Sequence, residues 1–572
     1  MTVAPKRPAA MTLAAHFPER TEAEWRDLAA AVVNKGRSED QLLSADDAVA
    51  SMRSHLVGGL DVDPLYTRPA DPAPLGMPGA MPFTRGRTLR DADVPWDVRQ
   101  LHDDPDAAAT RKAVLGDLEN GVTSVWLHVG ADGLAASDVV EALADVRLDL
   151  APVVVSSWDD QVAAAEALYA VLSGSAAASG NLGLDPLGAG ARTGATPDLA
   201  PIADFVRRVN GNGEIRAITV DTRVFADAGA TVPDEVAFAL ATGVAYLRHL
   251  ESEGVDAAEA FRHIDFRVTA GADQFLTAAA LRALRRTWAR VGESIGVPEQ
   301  SRGAFTHAVT AGRMFTRDDA WTNILRSTLA TFGASIGGAD AITVLPFDTV
   351  AGLPTAFSRR IARNTQILLS EESNVARVTD PAGGAWAVEA LTDDVAQAAW
   401  TAFQEIERAG GMVEALANGV VAQRISTAVT ERDGALATRT QPITGVSMFP
   451  LAGEQPLERA SRAELPVGAN ALVPHRDSAV FEALRDRSAA YAAEHGHAPR
   501  VAVPTLDVPR AADRRIDAVN LLTVAGIEAV EPDGDGGTVA LGATDKGYEG
   551  VTKDMDVVAF LSALLDQTGA PA

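Results

Sequence analysis

The chain has 572 residues, no cysteine, and 50 basic against 77 acidic side chains, a formal charge of −27. Such a length exceeds one hydrophobic core and calls for two or three domains. The missing cysteine excludes disulfides, thiolate metal sites, iron–sulfur clusters and cysteine nucleophiles. The acidic field argues against nucleic acid and anionic membranes as partners. Only five lysines occur, so nearly all positive charge is arginine, the better fork for phosphate or carboxylate. Neither a signal-like leader nor a membrane-spanning apolar run is seen, and a cytoplasmic location is expected.

Residues 1–80 read as an irregular arm with helical stretches at 18–34 and 41–55. A Pro/Gly-rich run from Asp63-Pro64 to Gly79 follows and is expected to be extended. No self-contained core is evident there, which favours an arm wrapped on a partner. Over 81–390 short Val/Ile-rich runs alternate with long Ala/Leu-rich helical stretches. Strands are expected at 123–128, 151–156, 216–220, 264–268, 304–309 and 340–345, with weaker ones at 181–185 and 373–378. Helices are expected at 232–253, 273–297 and 319–334. Eight βα repeats fit a (β/α)8 TIM barrel; periodicity alone leaves an open doubly wound sheet as the alternative.

Residues 391–485 read as a linker and 486–572 as a smaller α/β domain. Within the latter, 501–531 (VAVPTLDVPRAADRRIDAVNLLTVAGIEAVE) reads strand, turn, helix, strand, the first unit of a flavodoxin-like sheet. The domain is short for five strands, so it is either cut down or lacks residues near 543–551.

Several strings occur together in order: Pro82-Phe83-Thr84-Arg85-Gly86, Pro95-Trp96-Asp97-Val98-Arg99-Gln100, Asp227-Ala228-Gly229-Ala230-Thr231, Ser358-Arg359-Arg360-Ile361-Ala362-Arg363-Asn364-Thr365-Gln366, Asp380-Pro381 and Ile443-Thr444-Gly445-Val446. On these the chain resembles the small (beta) subunits of adenosylcobalamin-dependent methylmalonyl-CoA mutases of the bacterial heterodimeric type. The resemblance implies a barrel, a degenerate cobalamin-binding domain, and a one-to-one complex with a large catalytic (alpha) subunit. That complex would interconvert succinyl-CoA and methylmalonyl-CoA by radical rearrangement, with adenosylcobalamin in the partner and none on this chain.

Departures from the catalytic pattern support the small-subunit reading. A cobalamin site would carry Asp-x-His-x-x-Gly after the first strand; here Asp507 stands first, but Pro509 replaces the cobalt ligand and Ala512 the glycine. Proline has no imidazole. Asp507, which would orient that histidine, is expected to cap the next helix or to face solvent. The barrel histidine that the resemblance places four residues before Ala-Gly-Ala is Val224. No catalytic residue and no metal ligand is therefore assigned.

Arg85, Arg99, Arg282 and Arg285 match strings that the resemblance places near the CoA path, and are weighed as vestigial phosphate contacts against purely structural arginines. Arg359, Arg360 and Arg363 are read as hydrogen-bonding residues of the last barrel helix, with a further role at a subunit contact. His263 and His307 have no carboxylate or second histidine at ligand spacing and read as partly buried. The run Gly333–Gly338 follows a helix, the wrong context for a phosphate loop. Two other functions stay open: a self-sufficient acyl-CoA mutase and a homo-oligomeric CoA-binding scaffold.

Overall fold

Eight parallel strands close into a barrel: β1 (Asp97–His102), β2 (Ser124–His128), β3 (Val153–Ser156), β4 (Gly180–Leu184), β5 (Ile215–Asp221), β6 (Ile264–Ala270), β7 (Phe305–Thr310) and β8 (Ala341–Thr343). Closure is direct, since Ala341 and Ile342 of β8 pair with Asp97 and Val98 of β1. The open doubly wound alternative is thereby ruled out. The strands are buried on both faces, as parallel strands under helices must be, and this is why most read as short apolar runs.

The computed structural model describes residues 18, 20–72, 74–91, 94–532, 538–545, 547–552 and 554–570. The chain forms two compact units, divided between Arg68 and Pro69.

Two strand expectations differ from the structure. Residues 373–378 form no strand: Asn374 takes a left-handed φ of 56° and Val375–Arg377 make one 3₁₀ turn. The strand that completes the eight is β1, Asp97–His102, which is too polar to stand out by hydropathy. It is buried because its polar groups are paired: the Arg99 Nε donates to Ser124 Oγ at 2.8 Å and its Nη2 to Asp97 at 2.7 Å. The Trp96 indole, beside it, donates to Gln366 Oε1 at 3.0 Å, so two of the motif strings meet in space.

In the smaller unit, helix Glu22–Val33 begins at a Thr21/Glu24 capping box. Its partner helix is shorter than expected, Ala45–Ala50, and a hairpin of Ser54–Leu56 with Leu60–Val62 follows. Gly58 and Gly59, at φ 90° and 81°, lie in the turn of that hairpin.

In the larger unit, helix Val232–Ser252 is capped by Thr231, whose hydroxyl accepts from Asp234 N; the Ala-Gly-Ala-Thr string is thus a turn and a helix start. Helix Trp386–Arg408 packs against Gln274–Ser294 and Val232–Ser252. Residues 459–477 then lace across the loops at the strands' C-terminal ends. Ala460 O accepts from Leu353 N, Gly468 N donates to Thr193 O, and His475 N donates to Asp227 O. Beyond them β9 (Arg500–Ala502), β10 (Glu528–Val530) and β11 (Val539–Ala540) form a parallel sheet in the order β10-β9-β11. Phe481, Val501, Leu522, Ile527, Leu561 and Leu565 are among its core residues, with Leu436 and Val446 from the preceding segment.

Strand β4 shifts register between Asn181 and Leu184, and Gly183 there has φ 71°. A Cβ at this position would be driven into the Val155 carbonyl of the neighbouring strand. Gly183→Ala is expected to destabilise the fold by about 3 kcal/mol, measured by urea unfolding.

Candidate functional site

A (β/α)8 barrel carries chemistry at the C-terminal ends of its strands. Here that end and the axis beneath it are filled. Trp126 from β2 is fully buried. The Arg267 guanidinium from β6 lies 4.0 Å from the Trp126 ring centroid, and the His307 ring from β7 meets it edge-on at 5.3 Å. β2 stands across the barrel from β6 and β7. Side chains from opposite walls therefore touch on the axis.

A charged layer sits on this plug. Arg223, just after β5, forks onto Asp221 at 2.9 and 2.7 Å, and Arg267 Nη1 donates to Asp221 Oδ2 at 2.9 Å. Arg223 also lies 4.5 Å from the Trp126 centroid and 5.5 Å from that of Trp158. Desolvated cation–π contacts of this kind are worth up to about 2 kcal/mol each. Burial opposes ionisation of Asp221, but Arg223 and Arg267 prevail and hold its pKa down to about 2. Burial lowers Arg267 to about 10, still charged at neutral pH.

The hydrogen bonds determine the His307 tautomer. Arg267 Nε donates to His307 Nδ1 at 3.1 Å, so Nδ1 is the acceptor and Nε2 carries the proton, which it donates to Thr343 Oγ1 at 2.8 Å. Burial, followed by the nearby arginines, pushes this imidazole's pKa well below its ordinary value. Both His307 ring nitrogens are engaged, so this imidazole is not free to act as a general acid or base. His128 is likewise engaged, by Ser156 at 3.0 Å and Asp132 at 2.8 Å.

Below the plug, Phe305 of β7 has three guanidiniums around its ring: Arg87 at 5.5 Å, Arg99 at 5.9 Å and Arg216 at 4.9 Å. Arg216 pairs with Asp265, which also accepts from Asn181 at 2.9 Å. A cavity of about 180 Å³ remains beside Arg87, Arg216 and Phe305.

The four arginines weighed as phosphate contacts lie apart from any open channel. Arg85 Nε donates to Asp380 at 3.0 Å. Buried Arg282 pairs with the same Asp380 and with Glu389. Arg285 caps backbone: its guanidinium donates to the carbonyls of Phe83, Thr84, Gly337 and Gly338 at 3.3, 2.9, 2.6 and 3.1 Å. Arg99 is held by Asp97 and Ser124 as described. An internal carboxylate, Asp380, thus stands between two of the four.

Val224 is buried in the short helix Arg223–Asp227 and presents no nitrogen. In the C-terminal sheet the turn after β9 is open to solvent, with Asp507, Pro509 and Ala512 all exposed. Helix Ala511–Val524 starts from Arg510, not from an Asp507 cap. This turn offers no imidazole, so its residues do not fit cobalt ligation. Among the described residues no cluster of three or more His, Cys, Asp or Glu could hold a metal. His263 is buried and bonds Glu259 at 2.8 Å.

Sequence reasoning missed Glu235. It is buried at the strand ends, where its carboxyl accepts from Thr222 Oγ1 at 2.7 Å, Thr269 N at 2.7 Å and Thr269 Oγ1 at 2.6 Å. Its only signal in the chain was a glutamate within a nearly all-apolar stretch of helix. Burial outweighs the threonine donors and raises its pKa from 4.5 to about 7. The native state therefore keeps a proton that the unfolded chain loses. Its contribution is fully present below pH 4.5 and disappears as pH rises through 7. Stability should fall by about 3 kcal/mol over that window, and urea titrations at pH 5 and 8 should show Glu235→Gln flattening the slope. Trp126→Ala should cost about 3–5 kcal/mol by the same measurement, since a filled axis cannot collapse onto the void.

Residues 196–486 match the family model described as methylmalonyl-CoA mutase. The chain is 45% identical to the methylmalonyl-CoA mutase small subunit of Propionibacterium freudenreichii subsp. shermanii, over 93% of this chain and 84% of that one. It is 46% identical to the small subunit from Streptomyces virginiae, over 93% and 86%. Similarity to the methylmalonyl-CoA mutase of Escherichia coli is 28%, over 75% of this chain and 64% of the relative. The chain belongs to the methylmalonyl-CoA mutase family and, within it, to the small subunits.

Proposed function

We propose that this chain is the noncatalytic small subunit of a two-chain methylmalonyl-CoA mutase, paired one-to-one with a large catalytic subunit. The complex interconverts succinyl-CoA and (R)-methylmalonyl-CoA, and adenosylcobalamin resides on the large subunit. One observation carries the reading: Trp126, Arg267 and His307 meet on the barrel axis, so no acyl-CoA chain can thread it. The loss of imidazole at Pro509 and Val224 supports it.

The vestigial-phosphate reading of Arg85, Arg99, Arg282 and Arg285 becomes a proposal about ancestry. Their guanidiniums now hold strands, helix ends and the segment around Phe83 together. Residues 1–80 serve as the arm that engages the partner; exposed Leu28 and Val32, four apart on helix Glu22–Val33, support this role. No described helix is long and apolar enough to cross a membrane, and a cytoplasmic complex fits the cysteine-free composition.

The test compares the purified chain alone with the reconstituted pair. Supplied with adenosylcobalamin and succinyl-CoA, the lone chain should give no turnover and retain no corrin absorbance. The pair should turn over with one corrin per two chains. Turnover by the lone chain would establish a self-sufficient mutase. Tight CoA binding by a homo-oligomer with no affinity for a large subunit would establish a scaffold. Either outcome overturns the proposal.

A further inference from the structure

One face of the barrel combines exposed aromatic surface with two cations, Lys112 and Arg360, that pair with no carboxylate among the described residues. Trp321, Leu325 and Leu329 are spaced four apart on the turn and helix before β8 and are 52%, 64% and 44% exposed. Phe357, 44% exposed, starts the next helix, Ala356–Ile367. The rings cluster: Trp321 stacks on Phe347 at 4.6 Å and meets Phe357 at 6.3 Å. Single exposed hydrophobes are ordinary, but a contiguous aromatic and leucine strip with arginine at its edge has the composition of an interface centre.

Phe357 also lines a cleft of about 720 Å³ between helices Ala107–Leu118 and Ala356–Ile367. Its lining sets Lys112, Arg359, Arg360 and Arg363 against Asp103, Asp104 and Asp117, and Asp103 is already paired with Arg462. Asp117 on the floor is shared by Arg363, at 2.7 Å, and Arg359, at 3.5 Å. The buried Nε of Arg363 has no hydrogen-bond partner, while the Nε of Arg359 and the Nε2 of His102 lie 3.5 and 3.8 Å from Asp117 Oδ2 without hydrogen-bond geometry. Lys112 and Arg360 line the same cleft, and among the described residues neither is paired with a carboxylate. Arg360 instead lies 5.3 Å from the Phe357 ring centroid. In a chain of net charge −27, unpaired cations beside exposed rings are out of keeping with the rest of the surface.

We propose that this strip and cleft form a docking surface for the large mutase subunit, which places an apolar side chain against Trp321, Leu325 and Phe357 and a carboxylate in the basic cleft. The proposal rests on the small-subunit reading above. The charge complement selects the occupant's chemistry: an apolar segment bearing Asp or Glu satisfies both features, whereas a purely apolar one would bury Lys112 and Arg360 unpaired.

The experiment measures association of full-length chains with the large subunit by sedimentation, together with acrylamide quenching of Trp321, identified by its loss in Trp321→Phe. Leu325→Glu and the pair Lys112→Glu, Arg360→Glu should each weaken association by about 30-fold or more. These positions are exposed, so unchanged melting curves will show the variants folded. Leu150→Glu, at an exposed leucine outside the strip, should bind as the parent does. Quenching of Trp321 should fall when the large subunit is added. If the strip and cleft variants bind normally while the parent pair forms, the surface is misassigned and the small-subunit reading stands. Should the variants abolish self-association instead, a second copy is the occupant and the proposal fails. No association by the parent chain would overturn the small-subunit reading itself.

Discussion

The contact between Trp126 and Arg267 across the barrel axis is the constraint on which the rest of the site depends. An arginine buried this deeply is tolerable only where its charge is balanced and its N–H groups are engaged. Asp221 supplies the balance, His307 accepts from Nε, and the indole face lies against the guanidinium. Arg223 then joins Asp221 and places a second cation between two indoles. Removing Asp221 would leave two buried guanidiniums without their carboxylate, so the layer holds as a set. The same set closes the channel and leaves His307 neutral with both ring nitrogens engaged.

A comparable logic applies outside the axis. Arginines that resemble ligand contacts are matched by groups of this chain: Asp380 for Arg85 and Arg282, backbone carbonyls for Arg285, Asp97 and Ser124 for Arg99. A scaffold so satisfied gains rigidity from the pairs that would otherwise await a ligand, which suits a companion whose work is to hold a shape. The linker segment 459–477, hydrogen-bonded across the strand-end loops, adds to that closure.

Much of the barrel was legible because its strands are buried on both faces, and such strands write themselves as short Val/Ile runs. The run 373–378 was misleading, since Asn374 adopts a left-handed conformation and breaks extension. Asp97–His102 was hidden for the opposite reason: its side chains are polar, and their burial depends on Ser124, 25 and more residues away, together with the Arg99–Asp97 pair within the strand. Of the helix expected over 41–55 only Ala45–Ala50 forms, and residues 54–56 pair instead with 60–62 in a hairpin. Glu235 carried no usable signal, as its environment comes from Thr222 and Thr269 on separate segments.

The sequence by itself determined the family, the alternation of strands and helices, and the absence of imidazole at positions 224 and 509, because motif strings and residue identities are local properties. Only the tertiary structure decided that the axis is shut, that Arg282 and Arg285 are committed inside the protein, and that cations near Phe357 stand unpaired on an exposed face. Each of these is a relation between side chains from different elements. Burial and charge pairing arise when the chain closes on itself, and no stretch of residues encodes them alone.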